Sequence, residues 1–397
     1  MGRKTTAILA VSIGGLLLEI CLLGTTAFAQ ETKESKEAPS LSWDAEEQLA
    51  DFLEEELNGF WEEISPELPS NTKRLFDTGE ISSLSDLLCM TPHQVWEVVK
   101  SAAKRQLNRP MQSAGRLIVA VLLCAVVNAV RQSEISKNLQ EVFTVTAAAC
   151  VVSFLSEPIL GCITQTVQTL RESALFVMSF TPVMGGILIA GGHPGSAGAY
   201  QLILLVTAEL LTELASQTLV PLLGIYLALC IAAPLAPFLH LGKLTAGIKS
   251  AVCWGLGSVS TLFVGILSLQ TVISSGGDSL ALKTGKFLVG SLIPVIGGTI
   301  SDALGAAQGC IQILKNTVGY FGIFAVLLTF LPVLIQTALW YLAVNVAAWV
   351  GSMLDAGEIS QLLSSIGQTF SMMLAMVACF MLLILVSTAL MLMITLG

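Results

Sequence analysis

Beyond Pro110 the chain shows little alternation of apolar and polar positions. Apolar residues instead run in blocks of about the 20 residues that a helix needs to cross hydrocarbon. Nine such blocks are readable, at 115–130, 139–160, 174–191, 199–216, 219–239, 251–273, 287–307, 318–350 and 363–396. The last two exceed a single crossing; Pro332 is a candidate break in the first of them, and tilt or an interfacial turn absorbs the excess in the second. Ten-residue alternating strands are not evident, so helices must satisfy the backbone inside lipid. The pattern predicts an all-α fold: a polytopic helical membrane domain over 111–397 with about seven to nine spans, preceded by a small helical N-terminal domain.

The N-terminal part follows another rhythm. Arg3 and Lys4, the apolar run from Ala7 to Leu23, and Ala27-Phe28-Ala29 make a secretory leader over 1–29 that is cut after Ala29. Glu19 within the apolar run keeps an uncleaved signal anchor as the alternative, and Ile20 before Cys21 argues against a lipoprotein. Residues 30–43 read as a solvated linker and 44–110 as an acidic, exported helical region. Within that region Leu49, Phe52, Leu53, Leu57, Phe60, Trp61 and Ile64 recur at helical spacing among acidic positions, so the stripe seeks a protein partner or its own small domain. Thr91-Pro92-His93-Gln94 starts a further helix, which runs to about Asn108 and is basic in its second half. A basic patch beside a membrane normally marks the cytoplasmic side, whereas the leader places this one outside; the leader carries more weight.

Composition sharpens this division. Hydrophobic residues make up 54% and charged residues 12% of the 397 positions, against about 25% charged in soluble globular proteins. From Glu31 to Glu67 there are 13 acidic and two basic residues, whereas Met111 to Gly397 holds ten acidic and nine basic. The net charge of -9 disfavours a nucleic-acid binder. Of nine cysteines, seven lie in apolar runs and none forms a C-x-x-C, so neither a zinc site nor a redox pair is indicated. His93, His193 and His240 sit far apart without H-E-x-x-H, and Lys283-Thr284 lacks the glycine and strand of a phosphate loop. No enzyme signature and no cofactor or metal site follows.

Two features carry candidate chemistry. Ser179-Phe-Thr-Pro182-Val-Met-Gly185-Gly186 reads onto Ser291-Leu-Ile-Pro294-Val-Ile-Gly297-Gly298, an internal similarity of 170–188 with 282–300. Paired Pro-Gly-Gly breaks in two halves of a membrane protein point to a pathway or central binding site; helix packing is the plain alternative. Glu209 and Glu213 lie one turn apart on an apolar helix with Gln201 two turns earlier, and Asp302 follows the second Pro-Gly-Gly. Such residues normally face a protein interior, a cavity or an interface. A proton or cation relay, a polar helix contact and a helix at the headgroup level all remain open.

Ile293-Pro-Val-Ile-Gly-Gly-Thr-Ile-Ser-Asp-Ala-Leu-Gly305 and Ile313-Leu-Lys-Asn-Thr-Val-Gly319 closely resemble the most recognisable segment of the stage III sporulation protein AE family. The leader, the acidic region, the passage from Leu88 to Val130 and the total length are similar too. The resemblance implies a component of the trans-envelope complex between mother cell and forespore in endospore-forming bacteria, in the mother-cell-derived membrane. Its implied partners are the other stage III A operon proteins, one of them a separate subunit resembling a secretion ATPase, and indirectly stage II sporulation protein Q. The family brings no catalytic residues. An autonomous secondary transporter built on the Pro-Gly-Gly breaks and the intramembrane carboxylates is the alternative.

Overall fold

A computed structural model describes residues 100, 104, 110–123, 125–126, 137–233, 241–292, 297–354 and 357–393, with side chains apart from 137–144, 241, 271–308, 358 and 393. The leader, the linker, the acidic amphipathic helix, nearly all of the 91–108 helix, and Pro294 lie outside the described residues. Those that are described contain helices and no strand. A short apolar helix, α1 (Pro110–Leu123), comes first. Then follow α2 (Lys137–Ala190), α3 (Pro194–Glu213), a π-helical segment (Leu214–Leu219), α4 (Val220–Ala232), α5 (Leu241–Leu292), α6 (Gly297–Met353) and α7 (Gly357–Met393).

Five stretches within these helices are long and apolar enough to cross a membrane: 145–190, 194–232, 242–270, 309–353 and 359–392. The nine blocks read from hydropathy thus fall into fewer, longer rods. Block 139–160 and block 174–191 up to Ala190 are one continuous helix, α2, and block 199–216 and the described part of block 219–239 share the rod α3-π-α4. The intervening Thr164–Ser173 is polar, yet two of its hydroxyls bond back to carbonyls of the same helix. Thr164 Oγ1 donates to Leu160 O at 2.8 Å and Ser173 Oγ to Thr169 O at 2.7 Å. A hydropathy plot registers those groups as breaks; the backbone does not.

The last helix is the centre of the bundle. α7 is the most apolar span, and it packs against α2, α3, α4, α5 and α6. Those neighbours also pack on one another in a closed circuit, α2 on α3, α3 and α4 on α5, α5 on α6, and α6 on α2. α6 and α7 form the tightest pair, an antiparallel hairpin in which Ser360 Oγ donates to Ala348 O at 2.7 Å. Trp340 stacks on Phe370, with centroids 6.3 Å apart and an interplanar angle of 12°. Two glycines of α6 make the close approaches possible. A Cβ on Gly319 would lie 2.2 Å from Leu392 Cδ2, and one on Gly322 would lie 2.4 Å from Phe180 Cζ.

Between α2 and α3 the chain reverses in a single turn. Gly192 has φ of 88°, a backbone conformation open to glycine and unfavourable to residues with a Cβ. Pro194 then opens α3 at a position where a missing amide hydrogen costs nothing.

Candidate functional site

Glu209 and Glu213 project from the outer surface of α3, among the exposed Leu202, Val206 and Leu210. They do not face α7 or any interior path. Glu213 accepts a short hydrogen bond from Gln217 Nε2, one turn further on. Gln201 separates from them and turns toward α2, its Oε1 lying 3.3 Å from the place a Cβ of Gly185 would take. A carboxylate at the bilayer centre costs about 2.5–3.5 kcal/mol on insertion scales. Glu213 is the central residue of the 39-residue rod 194–232, so an outward position there asks for a protein or a polar surface against it.

α2 carries charge at the same height. Arg171 precedes Gly191 by 20 residues and Glu213 follows His193 by 20, so each stands about 30 Å from the turn at the 1.5 Å rise of a helix. Arg171 is exposed and Glu172 half-buried, and Gln168 Nε2 donates to Glu172 Oε1 at 2.9 Å. A polar girdle therefore crosses the middle of both rods.

The π segment that begins directly after Glu213 has a local cause. Pro221 offers no amide hydrogen, and its ring crowds the carbonyl four residues back. Widening the turn relieves that crowding, and the Val220 amide reaches five residues back to Ala215 O.

The Pro182-Gly185-Gly186 segment is continuous helix within α2, so the expected discontinuity does not occur there. Thr181 Oγ1 bonds Val177 O within the same turn. The two glycines part company: Gly185 is buried against Gln201, while Pro182 and Gly186 are exposed. In the second copy, α5 ends at Leu292 and α6 begins at Gly297; Gly297, Gly298 and Asp302 lie in the first turns of α6. The structure brings none of the described first-copy residues to Glu209 or Glu213.

Two interior polar contacts escape a sequence reading. Lys315 is 1% exposed, and its Nζ donates to Leu392 O at 2.7 Å, satisfying a carbonyl of the last turn of α7 that has no partner within its own helix. Gln368 Oε1, on α7, accepts from Tyr226 on α4 at 3.2 Å and from Lys249 on α5 at 3.3 Å. Gln368 thus ties three helices where hydrocarbon offers no competing donor. Among the described residues no three His, Cys, Asp or Glu side chains gather to hold a metal ion. Cys162 and Cys379 serve as small packing groups, touching Gln336 Nε2 at 3.9 Å and Ser260 Oγ at 2.8 Å.

The profile of the stage III sporulation protein AE family matches residues 80–395. The chain belongs to that family. A curated relative, stage III sporulation protein AE of Bacillus subtilis (strain 168), is 23% identical over 288 residues, which cover 70% of this chain and 70% of that protein. No solved structure matches. The bundle α1–α7 falls wholly within the region matched to stage III sporulation protein AE. The Ile313–Gly319 segment that resembles the family owes its form to α7: Lys315 bonds the end of that helix, and Gly319, one turn later, admits its Leu392. A lone lysine followed at i+4 by a glycine in an apolar run was the available signal. It marked helix docking.

Proposed function

We propose that this sporulation membrane protein is an integral subunit of a trans-envelope, secretion-like channel complex joining mother cell and forespore, and that late forespore gene expression requires it. The family match across the entire described bundle is the observation that carries this reading. Family membership and the absence of enzyme motifs in the sequence support a role without catalysis of its own. On this reading its partners are the other stage III A operon proteins, including a separate ATPase subunit, and indirectly stage II sporulation protein Q. The chain sits in the mother-cell-derived membrane around the forespore, its N-terminal region outside the mother-cell cytoplasm.

An autonomous transporter needs its carboxylates and helix breaks on an inner path. Outward-facing Glu209 and Glu213 and an unbroken α2 give that reading no support. Two measurements test the proposal. The purified chain in liposomes is expected to move no ion or solute alone, and the chain from sporulating cells is expected to carry other stage III A proteins with it. Ion-coupled uptake by the lone protein, or normal forespore reporter activity after its deletion, would overturn the proposal.

A further inference from the structure

The wall formed by α3, the π segment, α4 and α5 is the least covered part of the bundle. In the most apolar window of each span, 28% of residues are buried in 194–232 and 17% in 242–270, against 61% in 359–392. Lipid tails suit the leucines and isoleucines of that wall, but Glu209 and Glu213 also stand on it. Nor do the tails reach all of it. The 39-residue rod 194–232 rises about 58 Å, roughly twice the thickness of the hydrocarbon layer. The carboxylates at its middle call for a polar partner that lipid tails do not supply.

The complementary charge is present in this chain at the matching height. Arg171 is exposed on α2 at the level of Glu213. Within the chain Gln168 serves Glu172 and Gln217 serves Glu213, and Arg171 and Glu209 have no hydrogen bond or ion pair among the described residues. Copies related by rotation about the membrane normal keep their heights, so Arg171 of one copy meets the level of Glu209 and Glu213 of the next. We propose that the chain assembles side by side with copies of itself in the membrane, the Arg171 face of α2 in one copy docking on the Glu209–Glu213 face of α3 in its neighbour. Two different faces meet, so the contact is heterologous, and it closes into a ring where the rotation between copies divides a full turn. This assembly is independent of what the complex conducts.

Charge exchange in the full-length protein tests it. Wild type, purified in mild detergent and in lipid nanodiscs, is expected to have a mass several times that of a single chain. Arg171→Glu alone, and Glu209→Arg with Glu213→Arg, are each expected to fall to single-chain mass. Co-expression of the two variants is expected to restore the assembly, with both present in alternation, because each then offers what the other lacks. Arg116→Glu, at an exposed position of α1 rather than of either docking helix, is expected to leave the mass unchanged. Circular dichroism checks that the variants keep their helix content; if a reversal misfolds, Arg171→Gln and Glu209→Gln with Glu213→Gln are expected to show partial loss of assembly. A single-chain wild type in both media, charge variants of full mass, or losses that co-expression does not restore would each overturn the proposal, the last by assigning these faces to a different protein.

Discussion

At the scale of single residues, the structure splits pairs that look equivalent in sequence. Gly185 and Gly186 are adjacent, yet only Gly185 sits against another helix. Gly185→Leu is therefore expected to force α2 and α3 apart and lower the unfolding midpoint in detergent, whereas Gly186→Leu is expected to leave it unchanged; equal effects would contradict the assignment. Gly319→Ala and Gly322→Ala place a methyl within 2.2 Å of Leu392 and 2.4 Å of Phe180. Overpacking of this kind costs about 1–3 kcal/mol, to be read as reduced abundance and a lower midpoint. Lys315→Met removes a hydrogen bond of the charge-assisted class, worth about 1.5–3 kcal/mol. Faster amide exchange confined to the last turn of α7 is the expected readout, and uniform loosening of the bundle would argue against a capping role. Apart from the signal of Lys315 followed at i+4 by Gly319, these roles were not legible in the sequence, because a glycine in an apolar run looks the same whether it meets a phenyl ring or lipid. Glu209 and Glu213 were legible as unusual, but their direction depended on the neighbours of α3.

At the scale of elements, helix type and approximate placement were legible and helix ends were not. Hydropathy counts Thr166, Thr169 and Ser173 as polar, but all three are buried in α2, and the rod continues through them. Proline misled in the same way. Pro182 and Pro332, expected as breaks, lie inside helices as Pro158 does, with neighbouring helices holding each rod in place. The ranking of the helices yields a clean contrast. Phe370→Ala, at a fully enclosed ring of α7 stacked on Trp340, is expected to cost about 3–5 kcal/mol. Leu262→Ala, on the outer face of α5 and 67% exposed, is expected to change unfolding in detergent little. Comparable losses from both would mean that α7 is not the core.

For the whole molecule, the leader predicts an orientation that the bundle's geometry does not fix. A reporter active only outside the cytoplasm, inserted after Ser70, is expected to be active in the intact protein and silent when Met1–Ala29 is removed, with loss of complex assembly. Activity without the leader would reject export by that route. The rods are also longer than a bilayer is thick: the 46-residue stretch 145–190 rises about 69 Å, more than twice the hydrocarbon layer. The position of α7 has a consequence in time. α7, around which α2 to α6 pack, follows them in the chain, and Ala190 leaves the ribosome about 200 residues before Met393, an interval of roughly 10–40 s at 5–20 residues per second. During that interval the faces of α2 to α6 that receive α7 emerge uncovered, Gly319 among them. Nascent chains stalled before Gly357 should therefore be open to membrane proteases, and full protection should arrive only once Gly357–Met393 has been made. A fragment ending at Met353 supplied together with a separate 357–397 peptide would show whether the core can be completed in trans.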